Sequence, residues 1–198
     1  LLESIDNALS LSEQTDKETS FALLGDIPQK PFSYSAYLNL PKGTGFYRYW
    51  FQKLEYILWK NWTERDSPQF KAFRITSKNS IEHIFPQHPE GRDPMGHDDL
   101  HSFGNLVLLT VSQNSEYGRK QVPVKKAEFE GKNQYDSLKS KKIFGVMDQG
   151  IVWDERAIKD HRCEMIGIIT DHYQGLGLAP LESQVLEVTI DNDEHNDE

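Results

Sequence analysis

The amino-acid sequence predicts an α+β fold, mostly helical, arranged around one strand, loop, strand and helix unit. Three observations predict it. Apolar residues recur at helical spacing from Phe46 to Asn61, and again from about Asp154 to Tyr173. Two short apolar runs, Ser80 to Gln87 and Gly104 to Thr110, are bounded by turn formers and have the length of strands. Ser112 follows the second run as a helix N-cap, placing Asn114 in the first turn of the next helix.

At 198 residues, with 37% hydrophobic and 27% charged residues, the chain suits about one globular domain rather than a disordered or fibrous one. It contains no apolar stretch of membrane-spanning length, and Leu1-Leu2-Glu3-Ser4 does not open a secretory signal. The single cysteine, Cys163, makes no internal disulfide and no thiolate zinc clasp, which fits a reducing cytoplasm; its place in the last helix predicts a core packer. The chain opens without an initiator Met and reads as a carboxy-terminal piece of a longer protein.

In chain order, Ser4 to Gln14 predicts a short helix. Pro28, Pro31, Pro41, Gly43 and Gly45 then punctuate a loop-rich stretch, so 1–45 reads as a lead-in. In the helix from Phe46, residues Tyr47, Trp50, Phe51, Leu54, Ile57 and Leu58 form the apolar stripe, with Arg48, Lys53, Glu55 and Lys60 elsewhere on the wheel. Pro86 ends the first strand because it lacks a ladder donor, and 88–101, with two glycines and two prolines, predicts a surface loop. The strands are suited to antiparallel pairing. Val124 to Phe129 reads as a helical turn, and Gln134 to Phe144 shows no clear type. The last helix, N-capped by Asp154, turns Ile158, Met165, Ile166 and Ile169 inward and stops at Gly175 and Gly177. The domain therefore spans 46–178. A tail over 179–198 follows, acidic and with a candidate edge strand at Val185 to Ile190.

The net charge of −9 argues against binding nucleic acid by bulk attraction. Between Tyr117 and Lys142, however, eight Lys or Arg face three acids. Arg119, Lys120, Lys125 and Lys126 directly follow the strand and helix unit and are candidate phosphate contacts.

Within that unit, Glu82, His83, Asn105 and Asn114 are the residues whose chemistry stands out. Hydrolysis of a phosphodiester needs a base, a cation to neutralise developing charge, and a rigid frame. His83 can accept a proton near neutral pH. Glu82 and the Asn114 amide offer hard oxygens suited to one Mg²⁺ or Mn²⁺, and Asn105 can fix the imidazole or a backbone carbonyl. A hairpin closed by a helix brings such positions together despite separations of 22 and 9 residues from His83 to Asn105 to Asn114. Taken singly, these residues have plainer readings: a hydrogen-bonded structural histidine at 83, a turn asparagine at 105, a capping asparagine at 114. His101 reads as structural or as a partner to the site. His88 and His97 lie in the loop without helical ligand spacing.

The segments Ile81-Glu82-His83-Ile84-Phe85-Pro86-Gln87 and Gly104-Asn105-Leu106-Val107-Leu108-Leu109-Thr110, followed by Asn114-Ser115, resemble the His-Asn-His (HNH) nuclease superfamily. More narrowly, they are similar to the carboxy-terminal domain of GmrSD-type, modification-dependent restriction enzymes. Leu54-Glu55-Tyr56-Ile57-Leu58, Lys125 and Trp153 to Arg162 extend the resemblance over roughly Phe46 to Tyr173. It implies a ββα-metal core with His83 as general base, Glu82 as metal ligand, Asn105 orienting the histidine and its loop, and Asn114 completing the metal site. Glu82 and Asn114 stand where many relatives have Asp and His, and the longer Glu82 leaves direct and water-mediated contact both open. The resemblance further implies a divalent-metal-dependent endonuclease that nicks or cuts DNA, the effector of an anti-phage restriction system, including systems linked to phosphorothioate-modified DNA. An amino-terminal nucleotide-hydrolysing sensor is the implied partner. A catalytically silent DNA- or protein-binding module and an RNase are the alternatives.

Overall fold

The computed structural model describes residues 2–25, 31–75, 78–89 and 93–178. The acidic tail and the edge strand expected at Val185 to Ile190 lie outside them. The chain divides into two compact units, one formed by Leu1–Tyr34 with Tyr173–Glu198, the other by Ser35–His172. Residues 35–45, read from sequence as lead-in, thus fall in the larger unit.

In the smaller unit, helices α1 (Leu2–Ser10) and α2 (Asp16–Gly25) pack together. Ser10 Oγ and the Tyr173 hydroxyl lie 2.7 Å apart, and the Tyr34 and Tyr173 rings meet at 5.2 Å. The sequence predicts α1 but not α2, whose apolar residues lack a helical stripe.

The larger unit follows as α3 (Tyr34–Leu38), α4 (Arg48–Asn61), α5 (Pro68–Ala72), β1 (Ser80–His83), α6 (His97–Leu100), β2 (Leu106–Leu109), α7 (Val111–Tyr117), α8 (Val122–Glu130), α9 (Leu138–Asp148) and α10 (Glu155–Gly175). The α+β expectation holds: helices dominate, with one small antiparallel sheet pairing Ser80 with Leu109, Glu82 with Val107 and His83 with Leu106. Both strands are shorter than the apolar runs suggest. Just past β1, Ile84 N–H keeps the register by donating to the Asn105 carbonyl at 2.9 Å, and the ladder ends where Phe85 N–H donates instead to the Asn105 side chain at 2.8 Å. Before β2 the chain makes a 3₁₀ turn at Phe103–Asn105, capped where Ser102 Oγ accepts from Gly104 N–H.

The start of α7 corrects the sequence reading. Its N-cap is Thr110, not Ser112, which lies inside the helix. Thr110 Oγ1 accepts from Gln113 N–H at 3.2 Å while Gln113 Oε1 accepts from Thr110 N–H at 3.0 Å, a reciprocal pair that satisfies two end donors. Asn114 therefore does not cap its own turn. At α10 the expected cap is present, with Asp154 Oδ1 accepting from Ala157 N–H, and Ile158, Met165, Ile166 and Ile169 are buried. Gln134 to Phe144, untyped from sequence, contains the start of α9, which Ser137 caps. The expected surface loop over 88–101 contains α6.

The core places β2 beneath helices, with Val107 and Leu109 packed with Ile84, Phe129, Phe144 and Ile158. α4 covers β2 and α9. Its polar positions Lys53 and Glu55, expected to face away from the core, are buried. Glu55 takes the α9 N-terminus: Leu138 N–H and Lys139 N–H donate to its carboxylate at 2.8 and 3.2 Å, and the Ser137 hydroxyl also donates. A carboxylate there answers the positive end of the helix dipole and the unpaired end donors. Tyr47, expected in the buried stripe, is exposed and stacked on Tyr37, and Cys163, expected in the core, is exposed.

Gly104 lets α10 approach the turn before β2. A Cβ there would stand 2.2 Å from the Ile158 carbonyl oxygen and 3.0 Å from Arg162 Cβ. Gly104→Ala is expected to destabilise the protein by about 1–3 kcal/mol through overpacking. A denaturant midpoint equal to that of the unmodified protein would show that the contact is not needed.

Candidate active site

Glu82 and His83 end β1 and line one open pocket of about 220 Å³ with Pro86, Gln87 and His88 beyond the strand and Gly118 and Arg119 after α7. Adjacent strand residues point to opposite faces, yet at this strand end both line one cavity.

Glu82 is held from within. Lys125, reaching from α8, donates from Nζ to Glu82 Oε1 at 2.7 Å and to the His83 carbonyl at 2.6 Å. Burial pushes the Glu82 carboxyl up and the Lys125 ammonium down, and their mutual attraction opposes both shifts. The His83 backbone N–H also favours the charged form of the Glu82 carboxyl.

His83 is mostly buried. Burial first, then His101 and Lys125, holds its pKa down at about 4, so the ring is neutral near pH 7. Its Nε2 lies 3.1 Å from His101 Nδ1. Its Nδ1 has no protein partner among the described residues.

Asn105 does not touch the His83 ring. It is fully buried and uses its whole amide: Oδ1 accepts from Phe85 N–H at 2.8 Å and from Trp153 Nε1 at 3.1 Å, and Nδ2 donates to the carbonyls of Phe85 at 3.1 Å and Leu100 at 2.9 Å. All its polar atoms are engaged by backbone and indole, so of the two expected contacts, imidazole or backbone, the structure places the backbone one. Asn114 is not in the pocket wall. Its Nδ2 donates to Ser80 Oγ at 2.6 Å, which anchors it on the strand face that Ser80 shares with Glu82.

The expected phosphate contacts separate. Lys125 is sealed, and an ammonium with no exposed surface offers nothing to a phosphate, so it leaves the docking set. Lys120 pairs with Glu128 at 2.6 Å, and Lys126 bonds Glu130 and Asp148. Arg119 lines the pocket and forms no ion pair among the described residues. Among those residues, no three His, Cys, Asp or Glu side chains are grouped to hold a metal, and no helix is long and apolar enough to cross a membrane. Glu82 and Asn114, the ligands expected from the sequence, are both hard oxygen donors of the kind Mg²⁺ completes with water and phosphate, but only Glu82 lines the pocket.

With this geometry in place, comparison with protein families is decisive: the family described as GmrSD restriction endonucleases, C-terminal domain, matches residues 33–168. The chain belongs to that family. Searches of curated proteins and of solved structures return no match. The GmrSD match nearly coincides with the larger unit, Ser35–His172, and begins earlier than the Phe46 expected from the motifs. Membership in a GmrSD family makes this a domain of restriction endonucleases and implies a DNA substrate.

Two contacts in this GmrSD domain go beyond the sequence reading, in which His101 is structural or a partner to the site and Trp153 has no assigned partner. His101 reaches His83 across 18 residues of loop and helix, and the Trp153 indole joins Asn105 from just before α10. A His three residues before Gly104 was the available signal for the first; nothing local marked the second.

His83 shares its depressed pKa with His161 on α10, where burial outweighs the Glu164 carboxylate 3.5 Å from Nδ1 and takes the ring to about 4. The ordinary value is 6.5, so between pH 6.5 and 4 the unfolded chain binds protons that the folded chain refuses. Stability present above that window is expected to fall as pH drops through it. Denaturant midpoints across the window would show this, with a shallower fall in His161→Phe; a midpoint independent of pH would contradict it.

Proposed function

We propose that this domain is an HNH-type, divalent-metal-dependent endonuclease that nicks or cleaves DNA as the effector of an anti-phage restriction system. The observation that carries the reading is the pairing of a carboxylate and a neutral histidine, Glu82 and His83, at one pocket with Arg119. The strand, strand and helix order of β1, β2 and α7, with Asn114 tied to Ser80, supports it.

In this reading His83 takes the proton from the attacking water through Nδ1, while Asn105 holds the backbone that follows His83 and Arg119 engages a phosphate oxygen. Glu82 and Asn114 would hold a Mg²⁺ or Mn²⁺, which when bound neutralises charge on the phosphate and leaving oxygen. Lys125 keeps Glu82 in place and supplies positive charge beside it from the interior side. In a restriction system the domain works in the cytoplasm with an amino-terminal nucleotide-hydrolysing sensor.

Plasmid incubated with Mg²⁺ or Mn²⁺ is expected to relax or linearise, and His83→Ala to lower that rate on the order of 10²-fold or more. Cleavage by pure His83→Ala at the original rate would reject the assignment. Salt-sensitive binding without turnover under either ion would mark a binding module, and preference for single-stranded RNA an RNase. Arg119→Ala is expected to weaken DNA binding evenly across sequences and to reduce the salt dependence by about one phosphate contact. An unchanged salt slope would remove Arg119 from the interface.

A further inference from the structure

The loop between β1 and β2 delivers a second imidazole to the first, with more structure than a chance contact needs. α6 ends at Leu100, and the Leu100 carbonyl is fixed by Asn105 Nδ2. The next residue, His101, donates its backbone N–H to the His97 carbonyl at 3.0 Å and accepts from Gly43 N–H at 2.9 Å. Its ring lies against that of His97, with centroids 4.6 Å apart. On its other flank is Gly43, in the left-handed region at φ +54°, where a Cβ would come within 2.6 Å of His101 Nδ1. Backbone and ring are therefore both constrained, with Nδ1 directed at His83 Nε2, 3.1 Å away, and the two rings nearly perpendicular at 81°.

An imidazole pair at this distance shares one proton between the facing nitrogens, and which ring donates determines what the far nitrogen of each can do. If His83 Nε2 carries the hydrogen and His101 Nδ1 accepts it, His83 Nδ1 is left with a lone pair. If the roles reverse, His83 Nδ1 carries the hydrogen and cannot take another.

We propose that His101 is a positioning residue that accepts a hydrogen bond from His83 Nε2–H and so fixes His83 in the tautomer whose Nδ1 is a base. The inference rests on His83 being the base of the proposed nuclease, and it adds a residue and a direction to that reading. On proton transfer, the proton from water goes to His83 Nδ1, giving an imidazolium whose Nε2–H remains bonded to His101. His101 itself gains and loses no proton. Gly43 and His97 hold the acceptor in place, much as an orienting group behind a ligating or catalytic histidine sets its ring and tautomer.

Two substitutions separate position from mere packing. His101→Phe keeps an aromatic ring beside His97 and has no acceptor; His101→Asn supplies an amide oxygen close to where Nδ1 stands. Long-range proton to nitrogen-15 correlation spectra of the full chain at pH 8, without DNA or metal, report the His83 tautomer directly. The expected result is Nε2–H in the unmodified protein, a mixture in His101→Phe, and Nε2–H again in His101→Asn. Plasmid relaxation should follow, with kcat down on the order of 10- to 100-fold in His101→Phe, KM unchanged, and recovery in His101→Asn. An Nδ1–H tautomer in the unmodified protein, or an Nε2–H tautomer unaltered in His101→Phe, would overturn the inference. If His83→Ala cleaves at the original rate, the nuclease reading fails, while the spectra still decide the hydrogen-bond direction.

Discussion

A buried two-stranded sheet has a problem that larger sheets lack: every strand is an edge, and its outward N–H and C=O groups have no ladder to join. In this domain buried lysines answer it. Lys139, at the start of α9, donates to the carbonyls of Phe103 and Leu106 where the chain enters β2, with its ammonium 3.9 Å from the centre of the Phe103 ring. Lys125 donates to the carbonyl of His83 where the chain leaves β1. Lys78, just before β1, donates to the carbonyl of Asp136. Burial drives all three ammonium pKa values down, Lys139 furthest, which measures how strongly the interior resists these charges. The hairpin depends on that tension at His83 and Leu106, a pair whose carbonyls face away from the ladder and would lose these donors beneath the helices, whereas the Phe103 carbonyl also accepts from Leu106 N–H.

Asn105 extends the same logic from strand ends to the site. Its four hydrogen bonds join the backbone after β1, the backbone before His101 and the indole leading into α10. Three segments far apart in sequence are thereby held relative to one side chain that never reaches the pocket. Asp136 acts similarly beside α7, accepting from the Gln113 amide, the Tyr117 hydroxyl and Lys132 at 2.8, 3.0 and 2.7 Å. The helix that carries Asn114 is thus fixed at its capping residue, at its last residue, and at Asn114 itself through Ser80.

Much of this frame was legible in the sequence because it follows local rules. Helical spacing located α4 and α10, turn formers bounded the strands, and Asp154 marked its cap. Legibility failed where a partner lies far along the chain. Lys125 looks like a surface cation until Glu82, 43 residues earlier, is beside it. Glu55 looks like the wet side of a helix until the start of α9 is beside it, and Lys53, on another side of α4, is buried as well. Two errors were local. Thr110-x-x-Gln113 has the form of a capping box, which the apolar run ending at Thr110 masks. Cys163, five positions beyond Ile158, lies well round the helix from the buried stripe, so the wheel itself points it outward. At the site, the adjacency of Glu82 and His83 was readable from the chain, whereas the His83 to His101 contact needed the fold of the loop.

Charge accounting changes when the ion pairs are known. The basic stretch from Tyr117 to Lys142 suggests a broad docking face for DNA, yet Lys120, Lys126, Lys132 and Lys142 each pair with a carboxylate and Lys125 and Lys139 are buried. Most of the positive charge of this stretch is therefore engaged internally, so the stretch is not the free cationic surface its sequence suggests. Long-range attraction from it then contributes little to capturing a polyanion, since paired surface charges cancel beyond about 8 Å in physiological salt. Under the proposed function, phosphate recognition would fall instead on a few groups at the pocket mouth, Arg119 foremost. A nuclease so constructed would gain from being brought to its substrate, which is the physical requirement the proposed sensor would meet.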